Sequence, residues 1–462
     1  MRERIVMFQS EKSRKIFTIV FVSVLTLIPV TLCFNRSVWL DEAFSLRWSM
    51  WPFPDFFQRI KLDVCPLYLI TLRMVLTLTS NSLLAAKLFS VAAVFLLFLV
   101  GAFFVRRNFG YRAMIFYNLF LLFTPMMLKK SVEVRTYTWS YLLVSLSCVQ
   151  MYYLLKKNTG KKSWILFTIC SLAAAYTHYF AVLTLVVVYA GLLLFFAVNR
   201  NFKQVRAWLL CSLATILGYL PWVPVVLRQT KSETTSWIPP STSRLGILRD
   251  MFATDIPHGE KNFILLVIFF LVFGFVLFCK HRTAELYWSC VCMSLVWAIL
   301  IFGIVFEKIA RPVLVDRYLM IPFCASVLGM SYLCKYIPKY VIALFCAFFI
   351  FVGVGTYQNV YKEEYDTLTD KTLQFAEENI REGDMVLSNA GSLSSVIPYY
   401  FPNLPKEIPD VYSGEYDSLW YFDVGNALDL EQLDKLGIAY RSYGEYGFDN
   451  VNFIIYYLYR EQ

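Results

Sequence analysis

The chain has 462 residues, 58% of them hydrophobic and 16% charged, with a mean hydropathy of +0.55. A soluble chain of this size carries about a quarter charged residues, so an ordinary soluble globular protein is excluded. The net charge of +10 is spread over short loops between apolar runs, which fits a positive-inside membrane topology and sets nucleic acid aside as a partner.

The first apolar run, 16–34, follows Arg2, Arg4, Lys12, Arg14 and Lys15. No small-x-small cleavage site follows it, so it reads as a retained first span. Further runs fall at 83–105, 113–128, 136–155, 163–178, 180–198, 207–227, 263–279, 286–306, 319–333 and 341–356. These predict an α-helical polytopic membrane protein with about eleven transmembrane helices. With the N-terminus inside, the inner loops receive Arg106/Arg107/Arg112, Lys156/Lys157/Lys161/Lys162, Arg200/Lys203/Arg206, Lys280/Arg282 and Lys335/Lys339. The outer segments are then a long first loop at 35–82, the stretch 129–135, loops at 228–262 and 307–318, and the tail. Lys129, Lys130 and Arg135 break the charge rule by lying outside, which suggests another use for them. All but one of the 11 cysteines lie in or beside apolar runs, so a disulfide framework or cysteine metal site is not expected.

Residues 357–462 turn polar and acidic. Gly383–Ser388 reads as a turn into a strand, 428–436 as a helix, and 437–440 and 452–459 as strands. The expectation is two domains: a transmembrane domain over 1–356 and a small extracytoplasmic α/β domain over 357–462.

Ionisable residues are scarce within the spans, Lys87 being the chief exception, and a snorkelling side chain would explain it. Solute transport calls for polar groups near the midplane, so the scarcity argues against a transporter. Polar residues gather instead at outer ends: Asp41, Glu42, Asp63, Lys129, Lys130, Glu133, Arg135, His178, Arg311, Asp316 and Arg317. Each has a plain structural reading. Asp41-Glu42 suits a helix start, Glu133 and Arg135 suit a pair across a short loop, and Arg317-Tyr318 suits an interfacial anchor. His178, one of three histidines, suits a hydrogen-bonding turn residue. Together they have a chemical logic: a carboxylate can act as general base, and Arg and Lys can hold a phosphate. If that phosphate is attached to a lipid, the substrate is met at the bilayer edge.

Five short motifs stand in order on these outer segments. They are Trp39-Leu40-Asp41-Glu42-Ala43, Asp63-Val64-Cys65-Pro66-Leu67-Tyr68, Glu133-Val134-Arg135-Thr136-Tyr137, Thr177-His178-Tyr179-Phe180 and Arg317-Tyr318-Leu319. In them the chain resembles the integral-membrane GT-C glycosyltransferases, the group with protein O-mannosyltransferases and aminoarabinose transferases. The resemblance implies a GT-C fold and inverting transfer from a polyprenyl-phosphate sugar to an extracytoplasmic acceptor, in the cytoplasmic membrane. It implies Asp41 as the base, Glu42 shaping the acceptor site and Asp63 as a second carboxylate. Arg135 would hold the lipid phosphate, helped by Lys129 or Lys130 and Arg317, with Glu133, Tyr137, His178 and Tyr68 as further site residues. Some relatives bind a divalent metal and others do not need one. Cys65-Pro66 replaces the family's His-Pro-Pro, so no metal ligand carries over at that position and the metal stays open. A ligase or polymerase using a pyrophosphate-linked glycan is one alternative, and a lipid-linked sugar flippase is another.

Overall fold

The computed structural model describes residues 11–61, 66–156, 160–231, 238, 246–365, 367–402, 410–448 and 451–460. The chain divides into two compact units. The first comprises Met1–Cys33, Phe57–Thr71 and Lys87–Gln358, and the second Phe34–Phe56, Leu72–Ala86 and Asn359–Gln462. Seven helices, among the described residues, are long and apolar enough to cross a membrane. Other runs counted as spans form shorter or less apolar helices, including Tyr111–Leu122, Tyr137–Leu154, Lys161–Ala175 and Asp316–Leu333.

At the centre of the first unit lies the Asp316–Leu333 helix, with every residue from Leu319 to Leu333 buried. A helix apolar on all sides must be enclosed by other helices. Gly329 makes that enclosure tight, because a Cβ there would meet the Ser289 carbonyl oxygen at 2.7 Å. In return, the Ser289 hydroxyl donates to the Gly329 carbonyl at 2.8 Å, and Ser326 donates to the Cys292 carbonyl at 2.9 Å. These bonds tie the central helix to Ala284–Ile309, whose start is capped by Thr283 accepting from the Leu286 N–H at 3.3 Å.

The Tyr137–Leu154 helix is the second buried element. Near its C-terminal end, Tyr152 packs on Phe109 and Trp288, and Phe109 in turn on Tyr332 of the central helix. Lys335 sits 3.5 Å over the Tyr332 ring and Lys156 4.4 Å over Tyr152. The two buried helices therefore share one basic, aromatic end. Their N-termini meet at the other end, through Tyr137 and Arg317.

Lys87 corrects an expectation. It is only 1% exposed, so its ammonium does not snorkel to water. It lies one turn before Ser90, whose hydroxyl donates to the Glu133 carbonyl at 2.6 Å.

The second unit is built on a four-stranded sheet in the order β1-β2-β4-β3. Its strands are β1 (Val386–Ser388), β2 (Ser418–Asp423), β3 (Ile438–Phe448) and β4 (Val451–Arg460). β1 runs parallel to β2, while β4 is antiparallel to both β2 and β3. Leu419, Leu433, Ile438 and Leu458 form part of its core, and Gly444, at φ +93°, stands within the register shift of β3. The strands expected from Gly383–Ser388, 437–440 and 452–459, and the helix expected over 428–436, are all present. β2 and the Thr367–Asn379 helix are additional.

The same unit holds the Leu40–Met50 helix of the first loop. Several contacts fasten the preceding segment. Asn35 donates to Glu364 at 2.8 Å, Arg36 pairs with Glu377 at 3.0 Å, and Tyr400 Oη donates to the Arg36 carbonyl at 2.6 Å. The far end of the helix is held by Arg73, which donates to the Ser49 and Trp51 carbonyls at 3.1 and 2.5 Å. A cation there also complements the negative end of the helix dipole.

Candidate functional site

Six residues singled out in the sequence come together in the first unit: Lys130, Glu133, Arg135, Tyr137, His178 and Arg317. Local chemistry places each of them. Thr124-Pro125 breaks the apolar run and starts the short Pro125–Lys130 helix. The chain then crosses to the Tyr137–Leu154 helix through a buried segment. That segment is pinned by Ser90 on the Glu133 carbonyl and by the Thr136 hydroxyl donating to the Thr177 carbonyl at 2.8 Å. The second bond joins the Glu133–Tyr137 motif to the turn that carries His178.

Glu133 pairs with Lys130, three residues back at the end of the Pro125–Lys130 helix, and both side chains are largely buried. The Lys130–Glu133 pair joins that helix end to the segment that follows it. Lys130 also lies 5.9 Å from the Tyr137 ring centre. Arg317 Nε donates to Tyr137 Oη at 2.9 Å, so Arg317 is held within the protein and is not merely an interfacial anchor. Asp316 accepts from the Arg317 N–H at 2.7 Å.

His178 is the N-cap of the Tyr179–Val198 helix, its Nδ1 accepting from the Phe180 N–H at 3.1 Å. Its ring lies 5.9 Å from Tyr137 and 4.9 Å from Tyr318. Burial first, then the charges of Arg135 and Arg317, lower its pKa to about 3. Both guanidinium groups therefore lie near the imidazole. Lys129 is exposed beside Lys130. Tyr68 is buried and stacks on Phe89 at 6.1 Å, and Phe89 contacts Trp139 of the Tyr137–Leu154 helix.

Three helices thus begin at this cluster: Tyr137–Leu154, Tyr179–Val198 and Asp316–Leu333. Each helix start carries roughly half a positive charge and unsatisfied N–H groups. Lys130, Arg135 and Arg317 outnumber Glu133 and Asp316, so the cluster is net positive even with His178 neutral. Such a site binds anions, and Arg adds a planar fork that suits phosphate.

Asp41 and Glu42 lie in the second unit, in the first turn of the Leu40–Met50 helix. The expected capping role falls to Glu42, whose carboxylate accepts from the Trp39 N–H at 3.3 Å. Asp41 is partly exposed. Tyr399 is close enough to Glu42 that burial and this charge together raise its pKa to about 12. Sequence reasoning missed Tyr399 and Tyr400, since they reach the first loop from more than 350 positions away. Asp63 lies outside the described residues. Among the described residues, no group of three or more His, Cys, Asp or Glu stands close enough to hold a metal ion.

No protein-family model matches the chain, and no curated protein matches its sequence. Solved structures do match in fold. ArnT from Cupriavidus metallidurans in the apo state aligns with a TM-score of 0.67 at 12% identity, over 96% of this chain and 98% of that one. The same protein bound to undecaprenyl phosphate aligns with a TM-score of 0.63 at 13% identity, over 97% and 98%. An oligosaccharyltransferase from Archaeoglobus fulgidus, in complex with zinc and sulfate, aligns at 0.49 with 12% identity, over 87% and 67%. The chain thus shares the fold of ArnT over nearly its whole length.

Proposed function

We propose that the chain is an inverting glycosyltransferase, moving a sugar from a polyprenyl-phosphate-linked donor to an acceptor outside the cytoplasmic membrane. The observation that carries this reading is the net-positive cluster at three helix starts, set in a fold shared with a protein that binds undecaprenyl phosphate. A donor phosphodiester carries one negative charge. The polyprenyl phosphate released from it is a monoester that approaches two charges at neutral pH. A fixed cationic site gains attraction as that charge develops, and so favours the transition state over the bound donor.

In this reading the acceptor hydroxyl attacks the anomeric carbon and its proton passes to the Asp41 carboxylate. The bond from that carbon to the phosphate oxygen breaks, and the electron pair leaves with the lipid phosphate. Arg135 and Arg317 hold that phosphate, with Lys129 and Lys130 adding charge. Glu42 shapes the acceptor side while capping its helix, and Asp63 is a second carboxylate. Glu133 sets Lys130 in place, Tyr137 sets Arg317, and Tyr68 supports the wall behind them. Residues 1–356 form the membrane transferase domain and 357–462 the outer α/β domain, with the N-terminus cytoplasmic.

The test is incubation of the purified protein with a panel of polyprenyl-phosphate sugars, scored by mass spectrometry. Wild type is expected to release polyprenyl phosphate from one of them, and Asp41→Asn to release none while remaining folded. Full activity in Asp41→Asn would remove Asp41 as the base.

A further inference from the structure

The His178 ring is the least explained group in the cationic cluster. It is 6% exposed and stands among Arg135, Arg317, Tyr137 and Tyr318. Its Nδ1 is committed, because it accepts the Phe180 N–H that opens the Tyr179–Val198 helix. An acceptor nitrogen bears no proton, so the neutral ring carries its proton on Nε2. Among the described residues, no hydrogen bond engages that Nε2–H. That donor is open to a ligand, and it stands where two guanidinium groups favour an anion.

We propose that His178 is a neutral hydrogen-bond donor to the lipid-linked phosphate, giving its Nε2–H to a phosphate oxygen beside Arg135 and Arg317. The assignment rests on the proposed function and adds two statements to it. His178 cannot serve as the general base, since Nε2 already holds a proton and Nδ1 is spent on the helix cap. It also binds the phosphate without adding charge, so the site gains a directional bond and the released dianion is not held by a further cation.

The expected neutrality follows from the same surroundings: burial and the two arginines keep the ring from taking a second proton until about pH 3. A cap of this kind would also break on protonation, because an imidazolium has no acceptor.

The variant that separates cap from donor is His178→Asn. Asparagine is a good N-cap, but its short amide does not reach where Nε2 stands. With undecaprenyl phosphate as probe, His178→Asn is expected to raise Kd about tenfold or more, the scale of one lost hydrogen bond to a charged group. Its melting temperature should match wild type. A second readout uses protein labelled with ¹⁵N-histidine, in which only His178, His258 and His281 contribute. The His178 signals should show the Nε2-protonated neutral ring from pH 5 to 8, with the Nε2 proton moving downfield when undecaprenyl phosphate is added. A Kd within twofold of wild type, or a doubly protonated ring at pH 6, overturns the donor role alone. If His178→Asn does not fold, the wild-type spectra decide. Failure of wild type to bind undecaprenyl phosphate at all would bring down the proposed function and this assignment together.

Discussion

Two adjacent acids divide their work in the Leu40–Met50 helix. Consecutive helical side chains point about 100° apart, so Asp41 and Glu42 cannot face the same surroundings. Glu42 turns back to the Trp39 N–H, and Asp41 is the one left partly exposed. Among the cations, Arg135 is set in a segment pinned on both sides, by Ser90 on Glu133 and by Thr136 on Thr177. Arg135→Ala should therefore remove a fixed phosphate contact with little disturbance of the fold. The expected loss is about 1.5–3 kcal/mol of donor binding, read as a donor KM raised about tenfold or more. Unchanged kcat and KM would count against the clamp.

At the scale of elements, close helix contact rests on absent side chains. Gly353, in the Lys339–Glu364 helix, stands so near Phe123 that a Cβ would come within 2.0 Å of the ring. Phe123 is itself buried, just past the end of Tyr111–Leu122. Gly353→Ala should cost about 1–3 kcal/mol through overpacking, seen as a lower melting temperature in detergent. An unchanged melting temperature would mean that Phe123 has room to swing away. Much at this scale was legible in the sequence, because an apolar run of span length and an alternating strand have few other solutions. β2 escaped notice because Leu419–Phe422 reads as a four-residue apolar patch with no alternation, and all four residues are in fact buried. The pairings were not legible. Lys130 with Glu133 joins residues only three apart, but Tyr137 with Arg317 joins residues 180 apart. Lys87 misled for a related reason, since only neighbouring helices decide whether a lysine near a span end reaches water.

Across the whole molecule, the second unit draws on three separated stretches, Phe34–Phe56, Leu72–Ala86 and Asn359–Gln462. The helix that carries Asp41 is thus packed with the tail domain and not left as a free loop. Tyr400 connects them through its bond to the Arg36 carbonyl, and its ring also stacks on Phe448 of β3. Tyr400→Phe keeps the stacking and removes only the bond. Amide exchange over 35–51 should then quicken while exchange in β4 stays unchanged, as expected if local opening controls that segment. Equal exchange in both proteins would show that Arg36 with Glu377 and Asn35 with Glu364 suffice.

The three helix starts around His178 come from chain positions 137, 179 and 316. A ribosome reaches the first two long before the third. During synthesis, then, the membrane would hold Lys130, Arg135 and His178 before Arg317 and Tyr318 exist to close the cluster. Assembly of the anion site waits for the Asp316–Leu333 helix to enter among helices already in place. A nascent chain interrupted ahead of residue 316 would lack both that helix start and the Tyr137–Arg317 bond. Competence for lipid phosphate would therefore arrive late and all at once, after roughly two thirds of the chain has been made.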